Sequence, residues 1–449
     1  MKKLITLLLV MLAVLGMLFA QGASEETKTQ EPEGPVTVPF WRCFTGTSAD
    51  FIDSVIADFN ASQDKYVVVP EYNGSYIDQF AKFMATDEEY LPALITTSGA
   101  TVGSYLNSDY VRPAQDFIDK DPTWNYNFYP NLISAYGNGV EKIIGVPNSF
   151  SLYGIFYNVD IFEKPGIDPK SLVSFDRVFE AAMKLGDGGY CKYPLGSEST
   201  GIFTNIAIGR EGYYTVDNNN GLDGLPTKCL YNEGELYQLL LNYFGEWAQL
   251  AAKDYIYPLG STIKTQVSPA LATGDVAMII TTSAGKNGLV DACSQTGAHF
   301  SYIPLFSLTD NGKRTGIAPS GNGFFIINNG HEDQQQGAYE FIKFFLQVPY
   351  QIKWNALTGY MPVHTAITES EDYKAVLATD DYTEGVLKML ESDDGSVFHA
   401  KVANNNQYTP PGTVCLNAVV NGTDPAQAIA EMCATINEGF ELYNKSNKK

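Results

Sequence analysis

The stretch that decides the fold is VTVPFWRCFTGTSADFIDSVIADFN, Val36–Asn60. Val36 to Phe40 is a strand-like apolar run. Phe51, Ile52, Val55, Ile56 and Phe59 then recur at helical spacing, with Thr47 or Ser48 as the expected N-cap. The alternation continues outward: YVVVP from Tyr66 reads as a second strand, IDQFAKFMA as a second helix and PALITT as a third strand. Strands alternating with helices imply parallel βαβ units and an open α/β sheet. The ligand crevice of such a sheet lies beyond the carboxyl ends of its strands. Trp41 to Thr47 sits at one of those exits, at the amino end of the first helix, where backbone N–H groups lack intrahelical partners. Asn73–Tyr76 and Thr96–Gly99 occupy the next two.

Downstream, GIFYNVDIF from Gly154, GDVAMIITTS and GFFIINN read as strands. SFDRVFEAAMKL reads as a helix opened by Ser174, and further helices follow over GELYQLLLNYFGEWAQLAAKD, GAYEFIKFFLQV, PYQIKWNALTG and DPAQAIAEMCATINEGFELYN. At 449 residues the chain exceeds one ordinary core, so two lobes are expected. Met1–Ala20, with Ala23 as an alternative end, has the basic start, apolar run and small-residue site of a secretory signal peptide. No cysteine follows it to carry a lipid anchor, and residues 21–35 read as a polar disordered leader. A periplasmic location is expected.

The formal net charge of −22 repels nucleic acid and anionic membrane and excludes both as expected partners. The six cysteines show no C-x-x-C spacing. Export permits disulfides, and Cys191 with Cys229 and Cys415 with Cys433 are the pairs to test, against unpaired buried thiols. The four histidines form no H-E-x-x-H, and no G-x-S-x-G elbow is present. No catalytic residue, metal or cofactor is expected. DNNNGLDG reads as a turn, because its donor spacing breaks the calcium-loop pattern.

Taken in order, VPFWRCFTG with IADFNAS, VPEYNGSY, PALITTSGATVGSYL, VPNSFSLYGIFYNVDIFEKPGIDP, TGDVAMIITTS, IKFFLQVPYQIKWNALTGYMPV and NGTDPAQAI resemble the type 1 extracellular solute-binding proteins of ABC importers, the glycerol-phosphate-binding branch above all. The resemblance covers nearly the whole mature chain. It implies a two-lobed periplasmic-binding-protein fold, hinged lobes each with a mostly parallel sheet flanked by helices. It places crossings near Pro147–Ser151, Thr281–Ser283 and Ala318–Gly321. The expected N-terminal lobe is then 36–147 plus 282–318, and the C-terminal lobe 151–280 plus 322–445. It implies a monomeric receptor that delivers a small molecule to a membrane permease; a secreted carbohydrate-active enzyme and a surface adhesin are the alternatives.

By the same resemblance, Tyr76, Ser151, Thr282 or Ser283, Gly321 and Tyr360 match the family's ligand contacts. Tyrosine offers a ring face and a hydroxyl to a polyol or sugar, and glycine lets backbone N–H groups approach. Asn322 stands beside Gly321 in SGNG, a segment that could equally be a hinge turn. The family's acidic contact falls on Ser98 or Gly99, and its indole-bearing segment becomes GSESTGIF with Glu198. Its C-terminal arginine has no counterpart in NNNQYTPPGTVC. A neutral, hydroxyl-rich ligand is therefore expected: a sugar, a polyol or a glycerol derivative. Arg42 is the one substitute anchor for an anion, or else a solvated rim charge. Trp41, Phe44 and Tyr153 are the expected stacking platforms, with plain core as the competing reading of Trp41.

Overall fold

The computed structural model describes residues 34–99, 101–139, 141–198, 200–304, 307–314, 316–378, 381–391, 395–403 and 408–446. The expected signal peptide, and all but the end of the leader, lie outside these residues. So do 404–407 of the NNNQYTPPGTVC segment.

Among the described residues ten strands form two sheets. β1 (Val36–Arg42), β2 (Tyr66–Tyr72), β3 (Leu94–Ser98), β4 (Val111–Arg112) and β5 (Val146–Ser151) belong to the first lobe. β6 (Tyr153–Asn158), β7 (Tyr193–Ser197), β8 (Val276–Thr282) and β9 (Phe300–Pro304) form the second sheet, and β10 (Ser320–Ile327) returns to the first. The orders are β2-β1-β3-β10-β4, with β5 also on β10, and β7-β8-β6-β9. The two-lobed α/β fold is as expected, but the sheets are mixed rather than mostly parallel. β1 runs parallel to β2 and β3, whereas β10 is antiparallel to β3, β4 and β5. In the second sheet β7 is parallel to β8, and β6 is antiparallel to both of its neighbours.

Side-chain alternation explains the placement of β10. Phe324 and Ile326 enter the large core and Phe325 and Ile327 the smaller one on the opposite face. Such a strand is apolar on both faces and belongs in a sheet interior. The expected lobe boundaries therefore need correction. Within 282–318, β9 belongs to the second sheet. Within 322–445, β10 lies in the first sheet, and the helices Glu332–Phe345 and Val348–Thr358 pack on β1 and on the helix Gly46–Ser62. Only later does the chain rejoin the second lobe, where the helices Thr409–Val420 and Pro425–Ser446 pack on each other and on Gly234–Ala252.

The chain crosses at Ser151–Tyr153 and again between β9 and β10, but not at Thr281–Ser283. Ser283 instead clamps the first crossing: the Leu152 N–H donates to Ser283 Oγ at 3.1 Å, and the Ser283 N–H donates to Leu152 O at 2.8 Å. Thr282 pairs with Tyr153 across β6 and β8.

Local signals were mostly met. Ser174 Oγ accepts from the Arg177 N–H and opens the helix Phe175–Asp187. The first helix starts earlier than expected, with Thr45 as N-cap and no side-chain cap bond, because Gly46 at φ +56° makes the turn that releases it. No disulfide joins the six cysteines in this structure. Cys229 lies against Cys433, Sγ to Sγ 3.1 Å, rather than against Cys191.

Candidate functional site

A cavity of about 190 Å³ lies where the lobes meet. The first lobe contributes Ser98 and Gly99 at the exit of β3, and the second crossing contributes Ser320. The second lobe supplies the rest of the wall from four separated segments: Asn205 to Gly209, Tyr213 to Asn220, Arg314, and Ser396 to Ala400 with Tyr408.

The second segment is shaped by its asparagines. Asn218, Asn219 and Asn220 hold φ of 52°, 54° and 56°, a left-handed run that asparagine tolerates better than other residues with a side chain. Asp217 ties its base by accepting from the Thr227 and Lys228 N–H groups at 2.8 and 3.1 Å. This confirms a turn, and among the described residues no cluster of metal-ligating side chains exists. The turn carries Asn220 to the cavity wall. There its Oδ1 accepts from Thr215 N–H and Oγ1, both at 3.2 Å, and its Nδ2 donates to Phe398 O at 3.3 Å. Tyr408 closes the network through Thr215 and lies 3.2 Å from the hydroxyl of Tyr231, which donates its proton to Asn205.

Arg314 is the cation of the wall. Its guanidinium donates to Ser396 O at 2.8 Å and to Gly212 O at 3.4 Å, and lies 5.3 Å from the Tyr214 ring centroid. Among the described residues no carboxylate pairs with it. Tyr214 and Phe398 form a tilted aromatic pair 5.8 Å apart. His399 turns Nε2 to Pro319 O at 3.2 Å. Burial first, and the nearby Lys401 second, lower its pKa to about 4, so it is neutral at pH 7.

The expected site residues divide sharply. Ser98 lines the cavity. Beside it across β3 and β10 is Asn322, whose Oδ1 accepts from Tyr76 OH at 2.5 Å and whose Nδ2 donates to Ser149 Oγ at 3.3 Å. Tyr360 stands next to Asn322 and stacks on Trp354 at 6.0 Å. Tyr76, Asn322 and Tyr360 are thus brought together, but bonded to one another rather than along the cavity wall. Ser151 is buried opposite Ser320, which does line the cavity. Gly321, at φ +134°, is required by packing: a Cβ would meet Ser149 O at 2.4 Å. Its carbonyl accepts from the Gly99 N–H at 3.2 Å, which fixes the rim.

Seven further expected site residues lie off the cavity wall. Trp41 is buried in the smaller core under Lys82, whose Nζ is 4.0 Å from its ring centroid. Phe44 packs edge-on against Trp354 at 5.5 Å, and Tyr153 is buried in the large core. None of the three lines the cavity. Arg42 is spent on Asp53 at 2.7 Å and on Phe44 O at 2.9 Å. Glu198 accepts from Thr281 and from the Ile263 N–H at 3.3 Å, so it braces β8. Ser283, with neighbouring Thr282, serves the hinge. The cavity wall itself holds one guanidinium, that of Arg314.

The comparisons with known proteins agree with the two-lobed fold. Residues 54–409 match the family model of the bacterial extracellular solute-binding proteins. The chain belongs to that family. It is a solute-binding receptor of an ABC importer and works outside the cytoplasm. It is 28% identical over 351 residues, 76% of this chain and 78% of the relative, to the sn-glycerol-3-phosphate-binding periplasmic protein UgpB of Rhizobium meliloti (strain 1021). The UgpB of Brucella abortus (strain 2308) is 27% identical over 342 residues, covering 74% and 75%. Among solved structures, the sugar-binding protein MalE of Xanthomonas citri superposes with a TM-score of 0.72 at 14% identity, covering 92% of this chain and 100% of that one. UgpB of Mycobacterium tuberculosis in complex with glycerophosphocholine gives 0.70 at 17% identity, covering 91% and 99%.

Proposed function

We propose that the receptor's ligand is a small glycerol-derived phosphate, held between the lobes with its anionic group on Arg314 and its hydroxyls on the amides and hydroxyls of the wall. The observation that carries this reading is the guanidinium itself. In a chain of net charge −22, a cleft arginine held by main-chain carbonyls and an aromatic face is a vacant partner for a phosphate. Guanidinium matches phosphate oxygens with paired, charge-assisted hydrogen bonds. The size of the cavity agrees: about 190 Å³ is small against the roughly 300–1,000 Å³ of drug-sized ligand sites. The relatives named for glycerol phosphate support the same class.

Contacts from both lobes favour the closed state by their differential affinity for it, and the closed form is what a permease would receive. No turnover belongs to this reading. In this reading the protein is exported by its Met1–Ala20 segment and acts as a monomer. Thermal-shift and calorimetric titration with sn-glycerol-3-phosphate, glycerophosphocholine, glycerol, ribitol and maltose test it. Saturable binding of a phosphorylated glycerol, recovered unchanged, is expected. Binding of the neutral sugars alone would refute the anion site.

A further inference from the structure

We propose that Cys229 and Cys433 form a disulfide in the mature protein, a covalent brace behind the cavity wall. The two sulfurs lie 3.1 Å apart and both residues are buried. The backbone around them is fastened: the Cys229 N–H donates at 2.7 Å to the Oδ1 of Asn437, one helical turn beyond Cys433. Closing the remaining gap therefore needs only side-chain rotation and a small approach.

Position gives the brace its meaning. Cys229 bridges Val216, and the Leu230 N–H donates to Thr215 O at 3.0 Å. Tyr231 reaches Asn205 and Tyr408 on the cavity wall. A bond at Cys229 thus anchors the base of the Thr215–Asn220–Tyr408 network to the helix Pro425–Ser446, across 204 positions of sequence. The chemistry balances with a disulfide oxidant of the compartment outside the cytoplasm. The thiolate of Cys433, towards which Cys229 donates, attacks the oxidant's disulfide. Cys229 then displaces the mixed disulfide, so two S–H bonds are lost and one S–S bond forms. The two protons pass to the oxidant, which leaves as a dithiol. Burial in the finished fold means that this happens while the chain folds after export. Cys415, buried nearby on the helix Thr409–Val420, is the rival partner, its thiol pushed up by burial and then by Cys433.

The test is alkylation of full-length protein, isolated from an oxidising compartment and denatured without reductant. Two of the six cysteines should resist, the mass before alkylation should fall about 2 Da below that of the reduced chain, and peptide mapping should join Cys229 to Cys433. Cys415→Ser should keep that link and Cys229→Ser should abolish it. Reductant should lower the melting midpoint of the wild type by about 5 °C and leave that of Cys229→Ser unchanged. Six alkylated cysteines, or a link from Cys433 to Cys415 or from Cys229 to Cys191, would overturn the proposal.

Discussion

The exit of β1 and the wall of the second lobe hold the same kinds of residue and use them oppositely. At the exit, Trp41, Arg42 and Phe44 are consumed by Lys82, Asp53 and Trp354. At the wall, Tyr213, Tyr214, Arg314 and Tyr408 face a cavity, and the one cation among them has main-chain carbonyls for partners. An aromatic beside an arginine therefore marks a binding surface only where packing has not already used both. The comparison also separates two kinds of consequence: damage at the exit should appear in stability, and damage at the wall in affinity.

The largest effect expected is at the exit. Trp41→Ala removes a buried indole and should cost about 3–5 kcal/mol in denaturant unfolding, while the folded fraction binds ligand with unchanged affinity. A fall in affinity with little loss of stability would return Trp41 to the site.

Next comes Lys401, on the irregular segment just after the cavity-lining residues Ser396 to Ala400. It is buried and donates to Ser134 O at 2.8 Å and Ala135 O at 3.2 Å, and burial lowers its pKa from 10.5 to about 7. Between these values the unfolded chain binds the extra proton, so stability rises with pH by up to about 1.4 kcal/mol per unit. Below pH 7 both states are protonated and the burial penalty stands in full. Unfolding curves from pH 6 to 10 should show that slope in the wild type and lose it in Lys401→Met. An identical slope in both would remove Lys401 from the account.

Tyr214→Ala strips the ring from beside Arg314 and should weaken binding about tenfold, roughly 1.4 kcal/mol, with a small change in melting. Smallest of all, Arg42→Gln breaks a partly exposed ion pair and should cost about 1 kcal/mol or less, with calorimetric affinity unaltered. A loss of anion binding in that variant would exchange the roles of the two regions.

Much of the fold was legible because it is local. The periodicity of Phe51 to Phe59, the Ser174 cap and the apolar runs of β3, β8 and β10 each announce an element from within a few residues. What a strand position cannot disclose is the face. Phe40 and Trp41 are neighbours on β1, yet they enter different cores, so an exit residue turned inward looks the same as one turned outward. The lobe assignment failed for a related reason: β10 reads as an apolar strand, and only its antiparallel place beside β3 shows which sheet it completes. Ser98 was found because a strand exit and the resemblance coincided. Arg314 and Tyr408 were missed because the wall comes from segments about a hundred residues apart, each turn-like when read alone. The one available signal was REGYYTVDNNNG, where paired tyrosines precede an asparagine run suited to left-handed backbone.

The most direct test is calorimetry of wild type and Arg314→Gln with sn-glycerol-3-phosphate and with glycerol, which share a carbon skeleton and differ in the anion. The wild type should prefer the phosphate strongly. Arg314→Gln should lose about 10–100-fold in phosphate affinity, the worth of a hydrogen bond to a charged group, while its response to glycerol stays the same. Equal phosphate affinity in the two proteins would contradict the assignment of Arg314 as the anion anchor.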